Sequence, residues 1–152
     1  MNVGAPQISR EQGLALVELA VILALVCILV SFAVPRFVTL DVETRSAATR
    51  SLGGDVRSQA AHAHALWLAQ GQPDVIDMEG LSVPMQNGYP VVESIEGILE
   101  DTEGFTTEFQ DPSLVFFKSR DGSDRILNCT VRYTGAQNAM SAPRISVDTT
   151  GC

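Results

Sequence analysis

A long apolar stretch near the N-terminus constrains this chain more than any other feature. Residues 14–34 are apolar except for Glu18 and Ser31. A helix of that length rises about 31 Å, which matches the hydrocarbon core of a bilayer. A cleaved secretory signal usually has an apolar region of about 7–15 residues, followed by a small-residue cleavage site. Here Pro35 and Arg36 follow the stretch, so we expect a membrane-spanning helix that stays in the mature protein.

One carboxylate lies about one helical turn inside this stretch. An acid at the centre of a membrane costs about 2.5–3.5 kcal/mol on insertion scales and less near the surface, so such residues normally have a partner and a function. Apart from the Cys27 thiol, the stretch contains no other ionisable group. We interpret Glu18 as a functional residue; the alternative is a tolerated stray charge.

The charge of the chain limits the classes of function. The formal net charge is −8, and residues 74–111 include ten acids and no Lys or Arg. This composition argues against a nucleic-acid partner, because such proteins usually carry a basic patch. The acidic region is either a solvated surface or a surface for cations or a basic partner. We find no nucleophile–base pair, phosphate-binding glycine loop or zinc motif, and we expect no enzymatic activity, cofactor or metal.

A helical pattern continues beyond the apolar stretch to about Ala69. Pro35 can kink a helix, because it lacks one backbone donor and its ring crowds the preceding turn. Gly53-Gly54 predicts a soft point, and Gly71 and Pro73 predict the end of the helix. An apolar stripe recurs at spacings of three and four residues: Ala48, Leu52, Val56, Ala60, Ala63 and Trp67.

The rest of the chain is predicted to form an antiparallel sheet. We expect a loop at residues 72–90 and a short helix at 91–99. Alternating apolar and polar residues at 105–109 and 127–133 and two other strand-like runs predict strands, and clustered turn residues predict a turn. The strands are at 105–109, 114–118, 127–133 and 145–149, and the turn is at 121–124. One long helix followed by an antiparallel meander gives an α+β fold.

Two of the three cysteines lie in the polar C-terminal part of the chain. If that part is exported, Cys129 and Cys152 are expected to pair in an oxidising compartment. A bond closing this loop is worth about 3 kcal/mol in the chain-entropy model. The alternative is two free thiols in a cytosolic domain.

The residues around the start of the apolar stretch resemble a known family. Gly13-Leu14 is followed four residues later by Glu18, and Pro35-Arg36-Phe37 comes after the span. This arrangement resembles the signature of type IV prepilins. Gly88-Tyr89-Pro90 and Gly151-Cys152 are similar to the mannose-sensitive haemagglutinin branch of pilins. Family members more often have Phe and Thr where this chain has Leu14 and Ala15.

The resemblance implies processing and assembly. A prepilin peptidase would cut between Gly13 and Leu14 and methylate the new amino terminus of Leu14. Glu18 would pair with the amine of a neighbouring subunit during assembly. The implied segments are a leader at 1–13, a transmembrane and fibre-core helix at 14–34, the soluble half of that helix at 35–69, and a globular head at 70–152.

The implied protein is a major or minor subunit of an adhesive type IV pilus. Its partners would be other pilin subunits, the prepilin peptidase and the assembly machinery. It would lie in the bacterial inner membrane with a periplasmic head, and afterwards in an extracellular fibre. One alternative is a pseudopilin of a type II secretion system. Another is a single-span membrane enzyme or receptor whose mature form begins near Met1.

Overall fold

The computed structural model describes residues 10–120, 122 and 124–152. It divides into two compact units, with the boundary between Asp41 and Val42. The first element, α1 (Arg10–Ala69), contributes to both units. Most of the predicted leader lies outside the described residues, and so do Asp121 and Ser123 of the predicted turn.

The long helix predicted from the sequence is confirmed. The backbone of α1 is helical through Pro35 and through Gly53-Gly54. A kink at Pro35 stays a prediction. The helix ends at Ala69, and Gly71 follows with a φ of 85°. Glycine adopts this left-handed conformation without the steric cost that a side chain brings, so the predicted end of the helix is also confirmed.

The second unit, Val42–Cys152, includes the end of α1 as well as the predicted globular part, and it is called the head from here on. It contains two antiparallel sheets, and the predicted α+β class is confirmed. Neighbouring strands follow the order of the chain in both sheets. The three-stranded sheet contains β1 (Val75–Met78), β2 (Leu81–Gln86) and β3 (Tyr89–Pro90). The four-stranded sheet contains β4 (Phe105–Gln110), β5 (Ser113–Ser119), β6 (Arg125–Thr134) and β7 (Arg144–Asp148). The second set confirms the four strands predicted from the sequence, with β7 at an edge.

The prediction of a loop at residues 72–90 is wrong, because this region forms β1, β2 and β3. Two tight turns connect the strands. Glu79-Gly80 has φ values of 55° and 85°, and Asn87-Gly88 has 55° and 83°. Two-residue turns with positive φ at both positions match the twist of paired strands. The glycines and prolines that suggested a loop are therefore turn and strand-end residues.

The short helix predicted at residues 91–99 is reduced to a single 3-10 turn, Glu96–Ile98. Ile95 and Ile98 are buried in the core, and Val92 and Leu99 pack against it. This segment therefore contributes apolar side chains to the core, although its backbone does not form the regular helix that was predicted.

The core of the head lies between the apolar stripe of α1 and the sheets. Buried members from α1 are Leu52, Val56, Ala60 and Ala63, and buried members from the strands include Ile76, Val83, Leu114, Phe116, Val131 and Tyr133. Gly53 is also buried, and a Cβ placed on it would lie 2.3 Å from Cγ2 of Val147. Glycine at this position therefore allows α1 and β7 to approach closely.

Candidate membrane and assembly segment

The segment Ala15–Val34 of α1 is long and apolar enough to cross a membrane. All of its side chains are exposed. The large apolar ones leave between 47% and 72% of their surface accessible, the extremes being Val26 and Phe32. The apolar residues lie on every face of the helix, whereas a helix packed on a soluble core has one polar face. By its length and composition this surface is compatible with an apolar environment on all sides.

Glu18 is an exposed residue near the beginning of this segment. Its side chain makes no hydrogen bond or ion pair within the described part of the chain. Gly13 and Leu14 belong to the first turns of the helical backbone. Residues four apart lie on the same face of a helix, about 5–6 Å apart, so Glu18 lies one turn above Leu14. The helix thus presents one carboxylate beside the predicted cleavage point.

The predicted disulfide is present in the head. Cys129 of β6 is bonded to Cys152, which follows β7. Both cysteines are buried, and the hydroxyl of Thr49 on α1 lies 3.3 Å from Sγ of Cys129 and 3.7 Å from Sγ of Cys152. One turn earlier, Nε of Arg45 donates a hydrogen bond to the main-chain oxygen of Cys152 over 2.7 Å. The helix therefore contacts the disulfide directly, which the apolar stripe alone did not indicate.

Tyr133 connects the two sheets through one buried hydrogen bond. Its hydroxyl donates to the carbonyl oxygen of Pro90 over 2.8 Å, and the side chain is fully buried. Burial raises the pKa of Tyr133 above its ordinary value, and the charge of Tyr89 adds to this effect. The phenol therefore stays protonated in the folded head and continues to donate its hydrogen bond.

His64 and Trp67 fix the turn between β2 and β3 against α1. The ring of His64 is stacked on Tyr89, with 4.4 Å between centroids, and also on Trp67. Its Nδ1 lies 2.7 Å from the carbonyl oxygen of Gly88 and must donate, because a carbonyl oxygen only accepts. Nε1 of Trp67 donates to Pro73 over 2.9 Å. Trp67 thus packs against the core as predicted, while the role of His64 was missed.

The structure brings together one predicted pair, Cys129 and Cys152. Cleavage at Gly13 and Leu14, the assembly role of Glu18 and the absence of enzymatic activity stay predictions. Among the residues that the structure describes, no group of three His, Cys, Asp or Glu side chains could hold a metal ion. Comparisons with protein-family models, curated proteins and solved structures found no match for this chain.

Proposed function

We propose that this chain is a structural subunit, major or minor, of a bacterial type IV pilus used for surface adhesion. In this proposal a prepilin peptidase removes residues 1–13 and methylates Leu14, and the N-terminal helix assembles the fibre. The observation that carries the proposal is Glu18, an exposed carboxylate about one turn into a helical segment that is otherwise apolar and is exposed on every side. Two environments in succession satisfy such a helix: a bilayer before assembly and a bundle of like helices afterwards.

The physical role of Glu18 follows from its position. Cleavage before Leu14 creates an amino group with a positive charge. In a bundle of identical helices, the Glu18 carboxylate of one subunit can bind the amine of its neighbour when both are buried. Removing one partner of a buried ion pair costs about 3–5 kcal/mol. Helices shifted out of register lose this pair and are therefore disfavoured. The pair would therefore set the axial position of each incoming subunit.

The head supports the proposal in a different way. The disulfide between Cys129 and Cys152 is expected in an oxidising compartment outside the cytoplasm. A span near the N-terminus and an exported, disulfide-bonded α+β head are what the resemblance to pilins implies. A pseudopilin would share the N-terminal features, and microscopy of fibres separates that alternative.

The first experiment is mass spectrometry of the protein purified from its own host. The expected mature chain begins at Leu14 and carries one additional methyl group on its amine. An intact leader would refute both the pilin and the pseudopilin functions. Electron microscopy with an antibody against the head then distinguishes them, because a pilin labels long surface fibres and a pseudopilin does not.

The second experiment substitutes Glu18→Ala. The variant should be inserted and processed, but the yield of fibres sheared from the cells should fall by more than about 100-fold, which corresponds to a loss of at least about 3 kcal/mol per buried amine. Ser31→Ala is the matched control, because the Ser31 hydroxyl donates to the carbonyl oxygen of Ile28 in its own helix. The role assigned to Glu18 is wrong if the alanine variant is processed and forms fibres as well as the Ser31→Ala control.

A further inference from the structure

Within the head, α1 has two exposed flanks on opposite sides of its buried stripe. Each residue of an α-helix advances by about 100°. Asp55 and Arg57 are two residues apart, so their side chains leave the helix about 200° apart. The buried stripe of Leu52, Val56, Ala60 and Ala63 lies between these directions. We call the flank that begins at Arg57 the basic flank and the flank that begins at Asp55 the acidic flank.

The basic flank contains a cleft of about 400 Å³ between α1 and the beginning of β7. Arg57 and Arg144 both line it, together with apolar atoms of Ala61, Pro143 and Ile145. The two arginine side chains are exposed and bind no other residue in the described ranges. Arg50 lies two helical turns before Arg57 on the same face and is also exposed. Three guanidinium groups thus face solvent on this flank of α1.

The acidic flank contains a cleft of about 220 Å³, lined by Asp55, Ser58, Gln59, Glu100 and Asp101. The three acids are exposed. One base, Lys118, lines the adjoining pocket with Asp55 and Glu103, and its Nζ lies over the ring of Phe105. Oε1 of Gln59 is buried and accepts no hydrogen bond. This flank therefore offers several carboxylates to a donor from outside.

We propose that the basic flank of one copy of this chain binds the acidic flank of the next copy. Arginine suits this role, because its planar guanidinium can donate two parallel hydrogen bonds to one carboxylate. The contact is heterologous, since different surfaces meet, and repeated heterologous contacts build helical filaments when they do not close into rings. The inference rests on the proposed fibre function and names the head contact that would accompany the helix bundle.

The test reverses the charge on each flank in the full chain, expressed in its host. Fibre yield is measured per processed, disulfide-bonded subunit in the membrane, so that a folding defect is recognised separately. Arg57→Glu with Arg144→Glu should lower the yield about tenfold, and so should Asp55→Arg with Glu100→Arg, since close interfacial charge pairs are coupled by more than 1 kcal/mol. All four substitutions together should restore the yield to within about threefold of the unmodified chain.

Two controls make the same charge changes away from the flanks. Arg120→Glu and Glu93→Arg alter exposed residues that line neither cleft, and they should leave the yield within about twofold. The inference is overturned if the flank variants assemble as well as these controls, or if the fourfold variant yields no more fibre than either double variant. Failure of the unmodified chain to form any fibre would instead refute the proposed function.

A second measurement tests the same contact without reversing any charge on the head. Arg57→Cys combined with Glu100→Cys should produce, after mild oxidation of assembled fibres, a ladder of covalent multimers on a non-reducing gel. All variants are made in a Cys27→Ala background, because Cys27 is a free thiol. Neither single variant should then form multimers beyond a dimer, because each chain carries only one half of the contact. Fibres of the double variant that run only as monomers under these conditions would show that the two flanks do not meet.

Discussion

The adjacent glycines of α1 should respond in opposite directions to the same substitution. Glycine in the interior of a helix costs about 0.8–1.0 kcal/mol relative to alanine. At Gly54, which is exposed, a Cβ would meet no atom within 4 Å. Gly54→Ala should therefore raise the free energy of unfolding of the head by close to 1 kcal/mol.

At Gly53 the gain in helix propensity is opposed by a clash. The Cβ would lie 2.3 Å from Cγ2 of Val147, and its next contacts are Cβ of Val147 at 3.7 Å and Cγ2 of Val131 at 3.8 Å. Carbon atoms prefer about 3.5–4.0 Å, so β7 must move by more than about 1 Å. Overpacking of this kind costs about 1–3 kcal/mol. Gly53→Ala should thus be less stable than Gly54→Ala by about 1–3 kcal/mol.

Urea unfolding of the full chain in mild detergent measures this difference. Trp67 is the only tryptophan and lies in the head, so its fluorescence reports unfolding of that unit alone. Val147→Ala removes the opposing methyl groups and should abolish most of the difference between the two glycine variants. Equal stabilisation by both alanines in the original background would refute the close approach of α1 and β7.

Two further predictions concern the covalent and polar links of the head. Replacing both Cys129 and Cys152 by serine should lower the free energy of unfolding by about 3 kcal/mol, and reducing agent should lower the stability of the original chain to a similar value. Tyr133→Phe leaves the Pro90 carbonyl unpaired and should cost about 1–2 kcal/mol at neutral pH. Because burial raises the pKa of Tyr133, the unfolded phenol releases its proton at lower pH than the folded one. Stability should therefore fall as the pH rises above about 10, and urea titrations should show a shallower fall for Tyr133→Phe.

Periodicity in the sequence predicted the elements that bury a continuous face. The stripe from Leu52 to Ala63 occurs at helical spacing and packs into the core. Cys129, Val131 and Tyr133 alternate with polar residues and are all fully buried on one side of β6. The disulfide was also predictable, because only two cysteines lie outside the apolar stretch. In each case one strong local pattern determined the outcome.

The three-stranded sheet was missed because its strands are short and because its glycines and prolines predicted a loop. β1 has four residues and β3 has two. Pro84 lies within β2, where a proline normally argues against a strand. The Asn87-Gly88 pair was a usable hairpin signal, and it was outweighed by the prolines around it.

Other features depend on tertiary contacts, which no local sequence pattern predicts. Gly53 resembles Gly54 in the sequence, and only the position of Val147 distinguishes them. The two flanks of α1 likewise depend on which strands and turns lie beside the helix. Arg144 is 87 residues from Arg57 along the chain, yet both line one cleft.

The link between α1 and the disulfide has a mechanical consequence. Tension applied through the N-terminal part of the chain reaches the head first at Arg45 and Thr49, which precede the core stripe and contact Cys152. β7 is an edge strand of the four-stranded sheet, and it lies inside the covalent ring closed by Cys129 and Cys152. The disulfide therefore limits how far β7 can separate from β6 when the head is under tension.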